Sequence, residues 1–320
     1  MSVLRELTYP SSDGVHTVYA QEWLPQSQPR GIVQIVHGVA EHVGRYDHVA
    51  RFLNEHGFLV CGEDHLGHGK TVSDGKYGYF APKGGWDLVA RDIRRLRELE
   101  EAQYPGVPYV MLGHSMGSFL TRTYLIRWPG TLDGAVLSGT GQEPALLVAF
   151  GKGLAGLICA LRGPNYVSQL VYRLSMGSYN RKFKPNRTTG DWLSRDEKMV
   201  DAGLKDPLCA FKPTVSMFRD MMGGLQFIAD RRNLARMSRK TPVLFLSGDR
   251  DPVGGMGRGV EQVVGMFQEA GCEDVTVKLY HEGRHEVFNE INRQEVMEDL
   301  LAWLEQKLPQ EKQSGPIRRS

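Results

Sequence analysis

The stretch Pro108-Tyr109-Val110-Met111-Leu112-Gly113-His114-Ser115-Met116-Gly117 decides how the rest of the chain is read. An apolar run leads straight into Gly113-His114-Ser115-Met116-Gly117, and a helix-compatible run over residues 118–127 follows. Strand, G-x-S-x-G turn and helix, in that order, are the context of a nucleophile elbow. The turn is so sharp that a Cβ at either flanking position would collide, which is why both are glycine. The serine is thereby held in a strained conformation at the helix N-terminus with its Oγ exposed. A chance turn is the competing reading of so short a pattern, and the strand before and helix after argue against it.

Outward from the elbow, short apolar runs alternate with helical periodicity. The runs cover residues 32–36, 58–61, 109–112, 135–137, 243–246 and 275–279. Unbroken runs of this length suit strands buried on both faces, as in a parallel sheet. Helical stretches lie between or after them, at 47–56, 86–104, 118–127, 258–270 and 286–308. The alternation predicts an α/β fold, a mostly parallel twisted sheet flanked by helices. Residues 4–9 and 16–23 read as an antiparallel hairpin around Ser11-Ser12-Asp13-Gly14. From 141 to 240 no good strand appears. A long helix is expected over 214–237, interrupted at Gly223-Gly224. This predicts a core of residues 1–141 and 213–308, an inserted helical cap over 142–212, and a frayed, flexible tail at 309–320.

Composition narrows the class. Of 320 residues, 39 are basic and 37 acidic, for a net charge of +2. That balance leaves no electrostatic footprint for nucleic acid. No 18-residue apolar run is free of charge, so no membrane-spanning helix is expected. The N-terminus has no basic segment followed by an apolar one, so no secretory signal is expected. Cys61, Cys159, Cys209 and Cys272 are widely spaced, which fits neither a disulfide scaffold nor a zinc ribbon. A reduced, cytoplasmic protein is the expectation.

A serine hydroxyl needs a general base, and the base needs an orienting acid. In this kind of fold they follow the serine in the order acid, then histidine. The loop after run 243–246 offers Asp249 and Asp251; the loop after 275–279 offers His281 and His285. Spacing alone leaves both choices open. An acyl-transfer site also needs two backbone donors for an oxyanion. Met116, directly after the serine, supplies one, and Val39, in the loop after run 32–36, supplies the other.

Five motifs together resemble one family. Residues 37–46, His37-Gly38-Val39-Ala40-Glu41-His42-Val43-Gly44-Arg45-Tyr46, are similar to the HG-x-x-EH-x-x-RY motif of the monoacylglycerol lipase and bacterial lysophospholipase-like branch of the α/β-hydrolases, the S33 serine aminopeptidase type. Asp64-His65-Leu66-Gly67-His68-Gly69-Lys70 resembles that branch's D-x-x-GHG loop. The elbow follows, then Gly248-x-x-Asp251 and Arg284-His285-Glu286-Val287-Phe288-Asn289-Glu290. The resemblance implies an α/β-hydrolase fold with Ser115, Asp251 and His285 as catalytic triad, and leaves Asp249 and His281 as loop residues with local hydrogen bonds. It implies that Glu41, Arg45 and His114 lie near the polar end of a substrate site, with a structural ion pair as the rival role for the first two. Where mammalian monoacylglycerol lipases carry a further histidine this chain has Phe288, which is expected among the substrate contacts and favours a lysophospholipase-like esterase over a glycerol-specific enzyme. No metal or organic cofactor is expected.

The expected activity is hydrolysis of carboxylic esters with an apolar acyl chain. An amidase or peptidase on the same triad and a non-catalytic binding protein are the alternatives. The apolar segment 145–161 is expected to line an acyl tunnel or to touch a lipid surface. Three motif matches are set aside. His281-Glu282-x-x-His285 needs both histidines on one helix face to bind zinc, and Gly283 after a strand argues against a helix. Gly151-x-Gly153-x-x-Gly156 lacks the strands and the acid of a dinucleotide site. Gly69-Lys70-Thr71 lacks the first glycine of a P-loop, since Asp64 stands there.

Overall fold

The apolar runs at 32–36, 58–61, 109–112, 135–137 and 243–246 become strands buried on both faces between helical layers, whereas the run at 275–279 forms an edge strand that leaves Val277 and Leu279 partly exposed. The computed structural model describes residues 3–209 and 211–308; the expected tail at 309–320 lies outside the described residues. The strands are β1 (Val3–Pro10), β2 (Thr17–Leu24), β3 (Gly31–Val36), β4 (Phe58–Glu63), β5 (Tyr109–His114), β6 (Gly134–Ser138), β7 (Val243–Gly248) and β8 (Val275–Tyr280). They form one sheet in the order β1-β2-β4-β3-β5-β6-β7-β8. β2 pairs antiparallel with β1 and β4, and every other neighbouring pair is parallel.

The helices are α1 (Asp47–Glu55), α2 (Gly85–Gln103), α3 (Met116–Arg127), α4 (Ala145–Arg162), α5 (Gln169–Leu174), α6 (Glu197–Lys205), α7 (Val215–Ala229), α8 (Arg231–Leu234), α9 (Arg258–Glu269) and α10 (Arg293–Lys307). Side chains of a strand alternate between faces, and the two faces feed two cores. Ile32, Val36 and Met111 join α2, α3 and α9 in one; Val33, Ile35 and Leu112 join α1 and α10 in the other. β3 sits between β4 and β5, which places the loops after β3 and β5 side by side at the carboxyl edge. Open α/β sheets build their sites at such a switch point.

Between β6 and β7 the described elements are all helical. α4 lies along α7, with Val148 and Ala155 buried. By length and composition alone α4 could cross a membrane, contrary to the expectation from charge-free runs. Its interior charge, Lys152, donates to Gln226 Oε1 at 2.8 Å, so one face of the helix belongs to the protein.

Two helix expectations need correction. α7 runs through Gly223-Gly224 without a break and stops at Asp230, whose carboxylate accepts the Arg232 N–H and starts α8. Gly224 serves packing instead: a Cβ there would lie 2.3 Å from Cε2 of Trp86. The last helix starts at Arg293, not at 286. Residues Val287–Asn289 form a separate 3-10 turn. The buried Glu290 carboxylate holds the chain there by accepting N–H bonds from Arg284, Arg195 and Ile291.

One buried acid opposes the fold at high pH. Glu100 of α2 is almost completely buried beside Glu22 of β2, which pairs with Arg5. Burial and the neighbouring Glu22 push the Glu100 carboxyl up to about 9. The folded state therefore keeps a proton that the unfolded state, with a carboxyl near 4.5, releases. Stability contributed by this proton is full below pH 4.5 and is lost as pH rises towards 9. Glu100→Gln should match wild type near pH 4 and melt roughly 2–4 °C higher at pH 8–9. Equal melting temperatures across that range would show that Glu100 ionises freely.

Candidate active site

Ser115 closes β5 and opens α3 with φ 54° and ψ −120°, a left-handed backbone that is strained for a serine. Its N–H donates to the Ser138 carbonyl at 2.9 Å, and its carbonyl accepts from Ser118 N and Oγ. The flanking glycines are required by contact. A Cβ on Gly117 would lie 1.8 Å from the Val36 carbonyl oxygen, and one on Gly113 would lie 2.4 Å from the Gly117 carbonyl oxygen.

Val39 and Met116 line the same small cavity as Ser115. Neither backbone N–H has a hydrogen-bond partner among the described residues. Two free donors at a cavity beside a strained serine are what an oxyanion hole requires. Ser115 Oγ also has no partner among the described residues; such bonds tighten when substrate arrives.

The two acids and two histidines sort by burial. His285 Nδ1 lies 3.0 Å from Asp251 Oδ2, both side chains are buried, and Asp251 Oδ1 accepts the Val253 N–H at 2.8 Å. His281 pairs with Asp249 at 3.1 Å, with the His281 side chain 87% exposed. The second pair is the local loop contact expected of it. One histidine faces solvent and the other is buried, so His281-Glu282-x-x-His285 cannot offer both rings to one metal. Burial works against the charged form of His285, but the Asp251 charge and hydrogen bond outweigh it and raise its pKa above 6.5. Trp192 and His114 pack beside the His285 ring, with centroids 4.9 and 4.7 Å away. Burial, with His285 next to it, pushes His114 down to about 3 and keeps it neutral.

Glu41 and Arg45 form the ion-pair network that ties the loop after β3 to the loop that carries His285. One Glu41 oxygen accepts the Gly38 N–H and the Tyr46 hydroxyl; the other meets Arg45 Nη1 at 3.0 Å. Arg45 also forks onto Glu286 at 2.7 and 2.8 Å, and Asn289 donates to the same carboxylate. Burial would raise Glu286, yet the Arg45 guanidinium holds it down at about 2. Neither Glu41 nor Arg45 lines the cavity beside Ser115. Phe288 is a correction to the expected substrate contacts. The 3-10 turn aims it into the core under α1 and α10, where it is 3% exposed.

The cavity wall includes residues that no sequence motif marks. Trp192, Tyr179, Phe218, Met222 and Glu143 all reach it from the segment between β6 and β7. Trp192 and Leu193 are pinned over the histidine loop, their carbonyls accepting the His285 and Glu286 N–H groups. Arg122, fully buried, donates to the Gly141 carbonyl and to Gln142 Oε1, which fixes the loop after β6. Burial lowers its pKa to about 9. A groove of about 310 Å³ under α4 and α5 shares Glu143, Ser175, Tyr179, Phe218 and Met222 with the cavity at Ser115. Gly151 faces Met222 of α7, so the Gly151-x-Gly153-x-x-Gly156 match falls within a packed helix. Among the described residues, His42, Asp206 and Cys209 form the one cluster of side chains close enough to share a metal. It lies outside the cavity lining.

A strand, elbow and helix on a mostly parallel sheet, with an acid and a histidine on the loops after two later strands, define an α/β-hydrolase. The chain belongs to the family described as serine aminopeptidase, S33, whose sequence model matches residues 27–292. It is 32% identical over 307 residues to a monoacylglycerol lipase of Mycolicibacterium smegmatis, covering 95% of this chain and 98% of that one. Human monoglyceride lipase is 26% identical over 303 residues, 93% of this chain and 89% of its own. A thermostable carboxyl esterase from Bacillus coagulans, solved in complex with glycerol, superposes with a TM-score of 0.90 at 31% identity, covering 97% of this chain and all of that one. The chain sits in the monoacylglycerol lipase-like branch of the α/β-hydrolases.

The Arg45 network has a testable weight. Breaking a buried pair strands a charge and costs about 3–5 kcal/mol. Arg45→Met should therefore lower the unfolding free energy in urea by about that much. Unchanged stability with a raised KM would make Arg45 a substrate ligand instead.

Proposed function

We propose that this carboxylic-ester hydrolase cleaves esters with an apolar acyl chain, of the monoacylglycerol or lysophospholipid type, through an acyl-enzyme on Ser115. The observation that carries the reading is the groove under α4 and α5, which shares its wall with the cavity at Ser115. In this account Ser115 Oγ attacks the ester carbonyl while His285 Nε2 takes the hydroxyl proton. Asp251 holds the imidazole through Nδ1 and stabilises the imidazolium. The N–H groups of Val39 and Met116 receive the oxyanion, each worth about 3–4 kcal/mol in the transition state. His285 then gives its proton to the leaving alcohol, and the acyl-enzyme remains. Water attacks that ester with His285 as base, releasing the fatty acid and restoring Ser115.

The acyl chain occupies the groove, with Leu154, Val171 and Met222 against it. The exposed face of α4 gives the cap a transient contact with the lipid surface that holds the substrate. No metal or organic cofactor takes part in these steps.

Hydrolysis of p-nitrophenyl esters from acetate to octanoate, alongside aminoacyl amides, tests the reading. Each buried methylene is worth roughly 0.8 kcal/mol, so kcat/KM should rise by about 10³- to 10⁴-fold along the series. Leu154→Asp should flatten the rise and spare acetate. Asp251→Asn should cost about 10³-fold or more in kcat, and Asp249→Asn little. A preference for acetate, or faster turnover of the amides, would overturn the proposal. Because His285 acts neutral and its pKa is raised, activity should climb with pH to a half-maximum above 6.5.

A further inference from the structure

Two successive peptides in the loop after β3 have four polar groups, and buried side chains hold three of them. In the His37–Gly38 peptide the carbonyl accepts from His65 Nε2 at 3.1 Å and the N–H donates to Glu41. In the Gly38–Val39 peptide the carbonyl accepts from His37 Nδ1 at 2.7 Å. The fourth group, the Val39 N–H, has no partner among the described residues, and Val39 lines the cavity at Ser115.

The hydrogen on His37 is placed by its neighbours. The His65 N–H donates to His37 Nε2 at 3.1 Å. Burial, with His65 and His68 beside it, pushes the His37 ring well below its usual 6.5, so the ring is neutral. A neutral imidazole has one N–H, and with Nε2 accepting, it is on Nδ1, facing the Gly38 carbonyl. The His65 ring stacks on His37 with centroids 3.9 Å apart. His65 Nδ1 lies 3.1 Å from Glu63 Oε1, both side chains are fully buried, and Gln34 donates to the other Glu63 oxygen.

The loop needs such a hold. A Cβ on Gly38 would lie 2.7 Å from Glu41 Oε1 and 3.1 Å from Ser115 Cβ, so closeness to Ser115 demands glycine. Glycine also frees its peptide to turn over, which would aim a carbonyl into the cavity in place of the N–H. Ala40, just beyond, stands at φ 56°, a strained backbone that its surroundings must maintain.

We propose, resting on the acyl-ester reading, that His37 is a positioning residue for the reaction: its Nδ1–H clamps the Gly38 carbonyl so that the N–H of the same peptide stays aimed at the oxyanion, while His65, braced by Glu63, steadies the preceding peptide and the His37 ring. A trans peptide points its C=O and N–H in opposite directions, so a clamp behind the loop sets the donor in front of it. The clamp lies outside the cavity lining. Its loss therefore weakens transition-state stabilisation and leaves ester binding unchanged, which lowers kcat and spares KM.

Asparagine places an N–H where His37 Nδ1 stands, and leucine does not. His37→Leu should lower kcat on p-nitrophenyl octanoate by about 10²-fold with KM within about twofold, and His37→Asn should recover most of the loss. Glutamine places an N–H where His65 Nε2 stands, so His65→Gln should likewise be faster than His65→Leu. An octyl trifluoromethyl ketone, which adds to a serine as a tetrahedral adduct, should lose affinity in step with kcat/KM. Nitrogen-15 relaxation of the Val39 amide gives a readout that needs no turnover: exchange broadening in His37→Leu, none in wild type or His37→Asn. A raised KM with kcat kept, a folded His37→Asn as slow as His37→Leu, or an unchanged Val39 signal in His37→Leu overturns the proposal. Absence of ester turnover by wild type would instead sink the reading on which this one rests, and the Val39 signal would still show whether His37 holds the peptide.

Discussion

A single close approach governs the site. The backbone of Gly117 passes so near the Val36 carbonyl that no side chain fits between them. That contact locks the first turn of α3 onto the end of β3. It brings the loop after β3 and the serine after β5 to one point, and it forces Ser115 into its strained conformation. Val39 and Met116, whose N–H groups have no partner among the described residues, line the same cavity. The cost of the strain is met by the sheet, since β3 and β5 are buried along their lengths.

Electrostatics fixes what packing brings together. Glu41 holds the Gly38 amide, Arg45 holds Glu41, and Glu286, adjacent to His285, holds Arg45. The loop after β3 and the loop that carries His285 are thereby joined through buried charge-assisted bonds, which resist distortion. Asp251 does the same for His285 on its other side. Preorganisation of this kind lets donors stabilise a developing charge without rearranging at the moment of reaction.

What the sequence made legible was local. The elbow, the strands around it and the alternation into two cores depend on neighbours in the chain, so glycine placement and apolar period reveal them. The choice between Asp249 and Asp251 rests on burial, which spacing does not encode, and the resemblance to a family was needed to make it. Phe288 was misplaced because a 3-10 turn held by Glu290 carries it into the core. Gly223-Gly224 read as a break because the reason for Gly224, the ring of Trp86, is more than a hundred residues away. The cavity wall was invisible for the same reason. Trp192, Tyr179 and Met222 meet only once α4, α7 and the loop over His285 have packed, and no pattern in any one segment announces it.

With Ser115 as nucleophile, the acyl group passes through it during turnover. Rapid acid quench of wild type during turnover of p-nitrophenyl octanoate, followed by peptide mass mapping, measures this directly. An octanoyl group is expected on the peptide holding Gly113-His114-Ser115-Met116-Gly117, at the serine. An octanoyl group on another residue, or turnover with no acylated protein at any quench time, would contradict it.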